Sequence, residues 1–360
     1  MANAQGPLVG LKVVEFAGIG PGPHVAMLLA DLGAEVVRIE REGAQISNEV
    51  VERARHRAQV DVKSEDGKAF CREALSKADV LIEGFRPGVM ERLGLGPQEM
   101  LTLNPRLVYA RMTGWGQDGP LAQAAGHDIN YIAITGALSA VGRKGETAVP
   151  PQNLVGDFGG GSMYCAFGIL AALFERERSG KGQVVDAAIV DGATSLMSFF
   201  FGVRQVPYLT TERGMGMLGG ASHFYRCYKC ADGREISVGA IEPQFYAELL
   251  EKADAPEELR QGQMNPANWD DYTARLEVLF KTRTAAEWTA ILEGSDACYA
   301  PVLALEEARE HPHMKARGVY EQHDGTWHTA PAPRFSRTPG SVRASTMNGA
   351  ELVAGWSAQG

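Results

Sequence analysis

The sequence predicts an α/β protein: a Rossmann-like, doubly wound parallel sheet domain followed by a smaller α+β domain. Three observations predict it. Short Val- and Ile-rich runs alternate with helical stretches through most of the first 200 residues, and such alternation implies βαβ units with parallel strands. A glycine- and proline-rich loop, Gly18-Ile19-Gly20-Pro21-Gly22-Pro23, follows the first strand. Beyond Ser222 the pattern changes to a hairpin and amphipathic helices.

Leu11 to Phe16 reads as a short buried strand, Pro23 to Leu32 as a helix with His24, Met27, Leu28 and Asp31 at helical spacing, and Glu35 to Glu40 as the next strand. The unit then repeats. Glu65 to Lys77 is helical; Asp79 to Ile82 and Arg106 to Met112 are strands. Asp157 to Arg178 reads as one long, mostly buried helix, stopped by Gly180-Lys181-Gly182 as helix C-termini commonly are. A strand over Gln183 to Ile189 and a helix over Gly192 to Phe201 follow. Phe224 to Cys230 and Arg234 to Gly239 flank Ala231-Asp232-Gly233, which predicts a hairpin. Helices follow at about Pro243 to Lys252, Asp270 to Lys281 and Ala285 to Leu292. From Pro331 the chain reads as extended. The predicted division is a large domain over 1–202 completed by 311–360, a linker over 203–222, and a small α+β domain over 223–310.

Hydrophobic content of 45% and charged content of 22% are those of an ordinary globular protein. A net charge of −9 argues against a nucleic-acid partner. The five cysteines are scattered, which suits a reducing compartment better than a disulfide framework. Cys227-x-x-Cys230 is at most half a zinc site, with only His223 near, so no metal is expected. The first ten residues lack the charged start and apolar stretch of a signal peptide. No apolar run approaches a membrane span, and Ser357 to Gly360 is not a peroxisomal address. The expectation is a soluble, cytoplasmic protein with no membrane partner.

Two segments carry candidate chemistry: Ala125-Gly126-His127-Asp128, and Gly156-Asp157-Phe158-Gly159-Gly160-Gly161. Each pairs an ionisable side chain with glycine at a helix start, where backbone N–H groups are free and the dipole is positive. A proton carrier beside an anion-stabilising pocket is what enolate chemistry requires. Two carriers permit proton removal on one face of a carbon and delivery on the other. The same residues also suit plain helix caps.

The first glycine loop, with Glu40 twenty residues after Gly20, has the outline of a dinucleotide site. Pro23 replaces the third glycine, and Pro21 and Pro23 lack N–H donors. The loop fits a pocket wall, or a tight turn with Pro23 at the first helical position. Arg38, Arg41, Arg55, Lys63 and Arg86 fall around strand ends, where they would either grip a phosphorylated nucleotide or stand as solvated charges. Met197, Phe199, Phe200, Phe201, Met215, Met217 and Leu218 are either an adaptable apolar surface or helix core.

The sequence resembles the family of α-methylacyl-CoA racemases, within the family III CoA-transferase superfamily. The resemblance runs from Gly10 to about Arg337, through GLKVVEFAGIGPGPH, ADLGAEVVRIER, ADVLIEGFRPGVMERLGLGP, LVYARMTGWGQDGP, AGHDINYIAITG, LVGDFGGGSM, GKGQVVDAAIVDG and VGAIEPQFY. It implies the family III fold, with two chains interlocked as a homodimer. It implies a 2-methylacyl-CoA thioester as partner, (2R)/(2S) interconversion through an enolate, and no cofactor beyond the CoA of the substrate. Carried over by residue, His127 and Asp157 match the catalytic pair. Glu242 matches the carboxylate that orients the histidine, reaching it from the partner's small domain. The Asp128 N–H would receive the thioester oxygen. Arg41, Lys63 and Arg86 match positions at the CoA nucleotide and phosphates, and Ile19, Tyr131 and Asn153 line the acyl and pantetheine path. The family's Asn-Arg motif reads here Arg53-Ala54-Arg55-His56-Arg57, which leaves the CoA roles of Arg55 and Arg57 open. The alternative is a CoA-transferase, whose counterpart of Asp157 is a nucleophile forming an acyl anhydride. His127 separates the two, since the nucleophilic route needs no second proton carrier. A CoA-binding protein without turnover is a third reading. The acyl chain is not legible.

Overall fold

The computed structural model describes residues 5–44 and 48–357. The signal-peptide reading falls partly, and the tail-address reading almost wholly, outside the described residues.

Strands β1 (Lys12–Phe16), β2 (Glu35–Glu40), β3 (Arg55–Gln59), β4 (Val80–Glu83), β5 (Val108–Thr113) and β6 (Val184–Ala188) form one sheet in the order β3-β2-β1-β4-β5-β6. Every pairing is parallel, and Val14 lies between Val37 and Leu81. Helices cover both faces of such a sheet, so its central strands are largely apolar; Val13, Val14, Val36, Val37 and Leu81 are fully buried. The order reverses between β1 and β4. The crevice outside the carboxyl ends of strands at such a switch point is where open α/β sheets bind ligands.

Helix α1 (Pro21–Asp31) starts two residues before the predicted Pro23. Gly20, at φ +70°, is its N-cap and Pro21 its first residue, a position where the missing N–H costs nothing. Helix α2 (Glu65–Lys77) is as predicted, capped by Ser64 Oγ accepting from the Gly67 N–H at 3.0 Å. Helix α3 (Asp128–Ile134) opens at His127.

The predicted long helix differs from expectation in two ways. Leu154–Ser162 is π-helical and runs directly into α4 (Met163–Ser179), which Gly180 stops at φ +74°. The helix is also only half-buried. Cys165, Ala166, Ile169 and Ala172 enter the core, while Met163, Phe167, Leu170 and Phe174 form an exposed row on another face. Together Leu154–Ser179 make 26 residues long and apolar enough to cross a membrane by length and composition, which corrects the reading that no run approaches that length. Its core face instead packs on β5 and β6. The helix predicted over Gly192 to Phe201 is two pieces, α5 (Ile189–Leu196) and α6 (Ser198–Gly202).

The chain forms two compact units. One comprises the residues up to Thr135, Gln152–Leu196 and the chain from Pro312; the other comprises Gly136–Pro151 and Met197–His311. Residues 136–151 therefore leave the predicted large domain, and 203–222 is not a bare linker. The reason is packing. A Cβ on Gly214 would lie 2.3 Å from the Lys144 nitrogen, and Leu209, Met217 and Leu218 join the core of the second unit. That unit holds the antiparallel hairpin β7 (Tyr225–Lys229) and β8 (Glu235–Gly239), with Cys227 opposite Ser237. A third strand, β9 (Tyr299–Pro301), is too short to show in a periodicity. Helices α7 (Pro243–Lys252), α8 (Trp269–Phe280) and α9 (Ala285–Leu292) bury Leu249, Trp269, Phe280 and Trp288 around it. Cys230 is buried, so the Cys227/Cys230 spacing is absorbed in this hairpin.

The C-terminal stretch is more ordered than predicted. Strands β10 (Tyr320–His323) and β11 (Thr326–Thr329) form a hairpin, and Gly349–Gly355 forms helix α10. Thr346 bonds Arg55 and Arg57 across the edge of β3, at 2.7 and 2.8 Å, closing an otherwise open sheet edge.

Buried Arg38, Arg55 and Arg57 cluster with buried Glu15, Glu40 and Glu52 on and beside β1, β2 and β3. Glu15 accepts from Arg38 at 2.5 Å and from Arg55 at 2.7 Å; Arg57 pairs with Glu40 at 2.5 Å and Glu52 at 3.1 Å. Arg55 also donates to the Pro23 carbonyl at 2.5 Å. Arg38, Arg55 and Arg57 are thus spent inside the fold, and Glu40 is no ribose acid. Removing one partner of a buried pair leaves the other charge stranded, typically a loss of about 3–5 kcal/mol. Glu15→Ala removes the carboxylate partner of Arg55 and the nearest one of Arg38, which keeps Glu40 and Glu52 at 3.4 Å, and denaturant unfolding should show a loss in that range; a change below about 1 kcal/mol, the scale of surface pairs, would mean the cluster is relaxed by water.

Candidate active site

A cavity of about 640 Å³ opens at the carboxyl ends of β1, β4 and β5, at the switch point of the sheet. Ile19, Arg86, His127, Asp128, Tyr131, Asn153 and Asp157 all line it. Arg41 and Lys63 are exposed, beyond the ends of β2 and β3, and are not among its lining residues. Glu242 belongs to the second unit, where it is the exposed N-cap of α7.

His127 holds an extended backbone at the N-cap of α3, and its N–H donates to Asn130 Oδ1 at 3.0 Å. The imidazole is exposed. Asp128 is the first helical residue, so its N–H has no acceptor within the helix. Its carboxylate Oδ2 accepts from the Asp157 N–H at 2.7 Å. Asp128 therefore joins the two segments that the sequence marked separately. The approach requires glycine: a Cβ on Gly156 would lie 2.2 Å from Asp128 Oδ2.

Asp157 sits, half-buried, in the first turn of the π-helix. Asn153 Nδ2 donates to its Oδ2 at 3.5 Å, and a Cβ on Gly20 would lie 3.2 Å from the same oxygen. Burial raises its pKa above the usual carboxylate range, and the Asp128 charge adds to the rise; the Asn153 hydrogen bond and His127 oppose it. Tyr131 donates to the Gly126 carbonyl and meets Trp115 edge-on at 4.7 Å. Its ring fills the space where Gly114 and Gly126 lack side chains. Burial raises the Tyr131 phenol, as does the nearby Asp157 charge.

Sequence reasoning missed Trp115 and the carboxylate of Asp128. The first had a signal, since Gly114-Trp115-Gly116 directly follows β5, at a strand end that faces the crevice. The second had none, because the contact spans 29 residues. A carboxyl whose pKa is raised by burial, an imidazole and a helix-start N–H in one cavity can take a proton from a carbon acid and stabilise the resulting oxyanion.

The family model described as CoA-transferase family III matches residues 8–346. The chain is 46% identical to the α-methylacyl-CoA racemase of Mus musculus over 334 residues, covering 92% of this chain and 87% of that one. It is 44% identical to the α-methylacyl-CoA racemase of Homo sapiens over 335 residues, with the same coverages. A CaiB/BaiF family protein from Brucella suis superposes with a TM-score of 0.83 at 25% identity, covering 98% of this chain and all of that one.

Proposed function

The chain belongs to CoA-transferase family III, and from that we propose that it is an α-methylacyl-CoA racemase, an isomerase interconverting (2R)- and (2S)-2-methylacyl-CoA thioesters. The observation that carries the reading is the convergence of His127, Asp157 and the Asp128 N–H on one cavity at the switch point. One carrier takes the α-proton, the electron pair moves onto the thioester oxygen, and the Asp128 N–H holds the enolate. The other carrier returns a proton to the opposite face, and the pair ends with its protonation reversed. The raised pKa of Asp157 suits this, since a carboxylate made more basic by burial takes up a proton more readily. One positioned oxyanion donor is worth roughly 3 kcal/mol of transition-state stabilisation.

The CoA portion enters past Ile19, Tyr131 and Asn153, with Arg86 at the wall and Arg41 and Lys63 beyond it as cations for the phosphates. Side chains carry both proton transfers, so the reaction calls for no metal or redox cofactor. The active form is a homodimer, in which Glu242 of one chain orients His127 of the other. The exposed apolar row on α4 supports a covering second chain. The five free thiols suit the cytoplasm.

Incubating one enantiomer of a 2-methylacyl-CoA in deuterated buffer tests the reading. The expected result is α-deuterium in both enantiomers with no acceptor acid present. CoA transfer to an added carboxylate without α-exchange would replace the racemase by a transferase. Neither reaction would leave a binding protein.

A further inference from the structure

The segment that carries Asp157 is π-helical, a rare form that concentrates at functional sites. Its bonds reach five residues back, as from the Phe158 N–H to the Asn153 carbonyl at 3.1 Å. A slip to α-helical pairing changes the register by one residue, which turns a side chain by about 100°. Asp157 would then leave its place. Something outside the segment has to hold the π register.

Helix α1 lies along it. Gly20 meets Asp157, and Pro21 Cβ lies 3.2 Å from where a Gly161 Cβ would sit. One turn further on, His24 meets two residues of the segment at once. Its ring lies 4.6 Å from that of Phe158, and its Nδ1 is 2.5 Å from Ser162 Oγ. Ser162 is the last π-helical residue and fully buried. Burial, helped by the charges of Arg53 and Arg55, pushes His24 down to about 4. The ring is neutral at neutral pH and takes no part in the chemistry described above.

We propose that His24 and Ser162 are a positioning pair that locks the π register of Leu154–Ser162 and so fixes Asp157 in the cavity. The pair touches no substrate. Its kinetic consequence rests on the racemase reading; its structural consequence does not.

Three variants separate the parts. Ser162→Ala removes the hydroxyl. His24→Phe keeps a ring against Phe158 but removes the hydrogen bond. His24→Asn returns a hydrogen-bonding group near the place of Nδ1. Amide hydrogen exchange of the unliganded protein is read first. Residues 154–162 should exchange about tenfold faster in Ser162→Ala and His24→Phe, with α2 unchanged, and near the wild-type rate in His24→Asn. In kinetics, the first two variants should lose about ten- to a hundredfold in kcat, the scale of a 1 Å misplacement. KM should stay within about twofold, and His24→Asn should restore most of kcat. Wild-type exchange over 154–162 in Ser162→Ala and His24→Phe overturns the lock, and so does faster exchange spread evenly over the sheet. If the wild-type protein itself fails to exchange a substrate α-proton, the racemase reading falls and the amide data alone decide the lock.

Discussion

His127→Ala and Asp157→Asn are each expected to cut racemisation by roughly two to four orders of magnitude, the usual worth of a positioned acid–base group. Binding of the CoA ester should stay within a few-fold, because neither side chain is assigned to the nucleotide. The two variants should part company in stability. Burial and the Asp128 charge raise the Asp157 pKa above its ordinary 3.8, so the folded state binds that proton more tightly than the unfolded state. The stability from this group is full below the unfolded pKa and is lost as pH rises through the folded one. Once ionised, Asp157 is thus a destabilising charge retained for chemistry, a recognised trade between stability and activity. Asp157→Asn should therefore raise Tm at pH 7.5 and lose that advantage near pH 4. An unchanged turnover in either variant removes that residue from the proton path. A lower Tm in Asp157→Asn at pH 7.5 would make Asp157 a structural partner.

Most of the sheet was legible because its signals are local. Strands β1, β2 and β4 carry short Val, Ile and Leu runs, and helices α2 and α7 carry their starts in sequence as Ser64 and Pro243, whereas β3, Arg55–Gln59, has no apolar run to mark it. What was not legible depends on distant partners. The arginines at 38, 55 and 57 read as candidate phosphate ligands until Glu15, Glu40 and Glu52 are brought around them. The π-helix has no periodicity that distinguishes it from a glycine-rich α-helix; it is visible only through the Phe158–Asn153 bond and the α1 residues beside it. Residues 136–151 look like ordinary loop beside α3, and their side of the boundary is decided by Gly214 against Lys144. At the site, both marked segments reach the same cavity, and the Asp128 carboxylate that ties them had no sequence signature.

Glu242→Gln is expected to lower turnover steeply with little change in KM. A neutral imidazole accepts a proton only on the nitrogen left free, and a carboxylate bonded to the other nitrogen selects that tautomer. The same carboxylate stabilises the imidazolium formed in turnover, so its loss falls on the transition state more than on substrate binding. Glutamine keeps the size and removes the charge. The Glu242 side chain makes no cap bond with its own helix α7, so it is free for this use. If it acts across a dimer, two dead variants should rescue each other. A chain with Glu242→Gln retains His127, a chain with His127→Ala retains Glu242, and their heterodimer holds one site with both residues. Co-refolded one to one, half the dimers are mixed and each has one of two sites intact, so about a quarter of wild-type activity should return. If the two chains interlock they do not exchange freely, so the mixture is made by co-expression or co-refolding, with mass spectrometry confirming the heterodimer. Confirmed heterodimers with no recovered activity would place Glu242 at the site of its own chain or outside the mechanism.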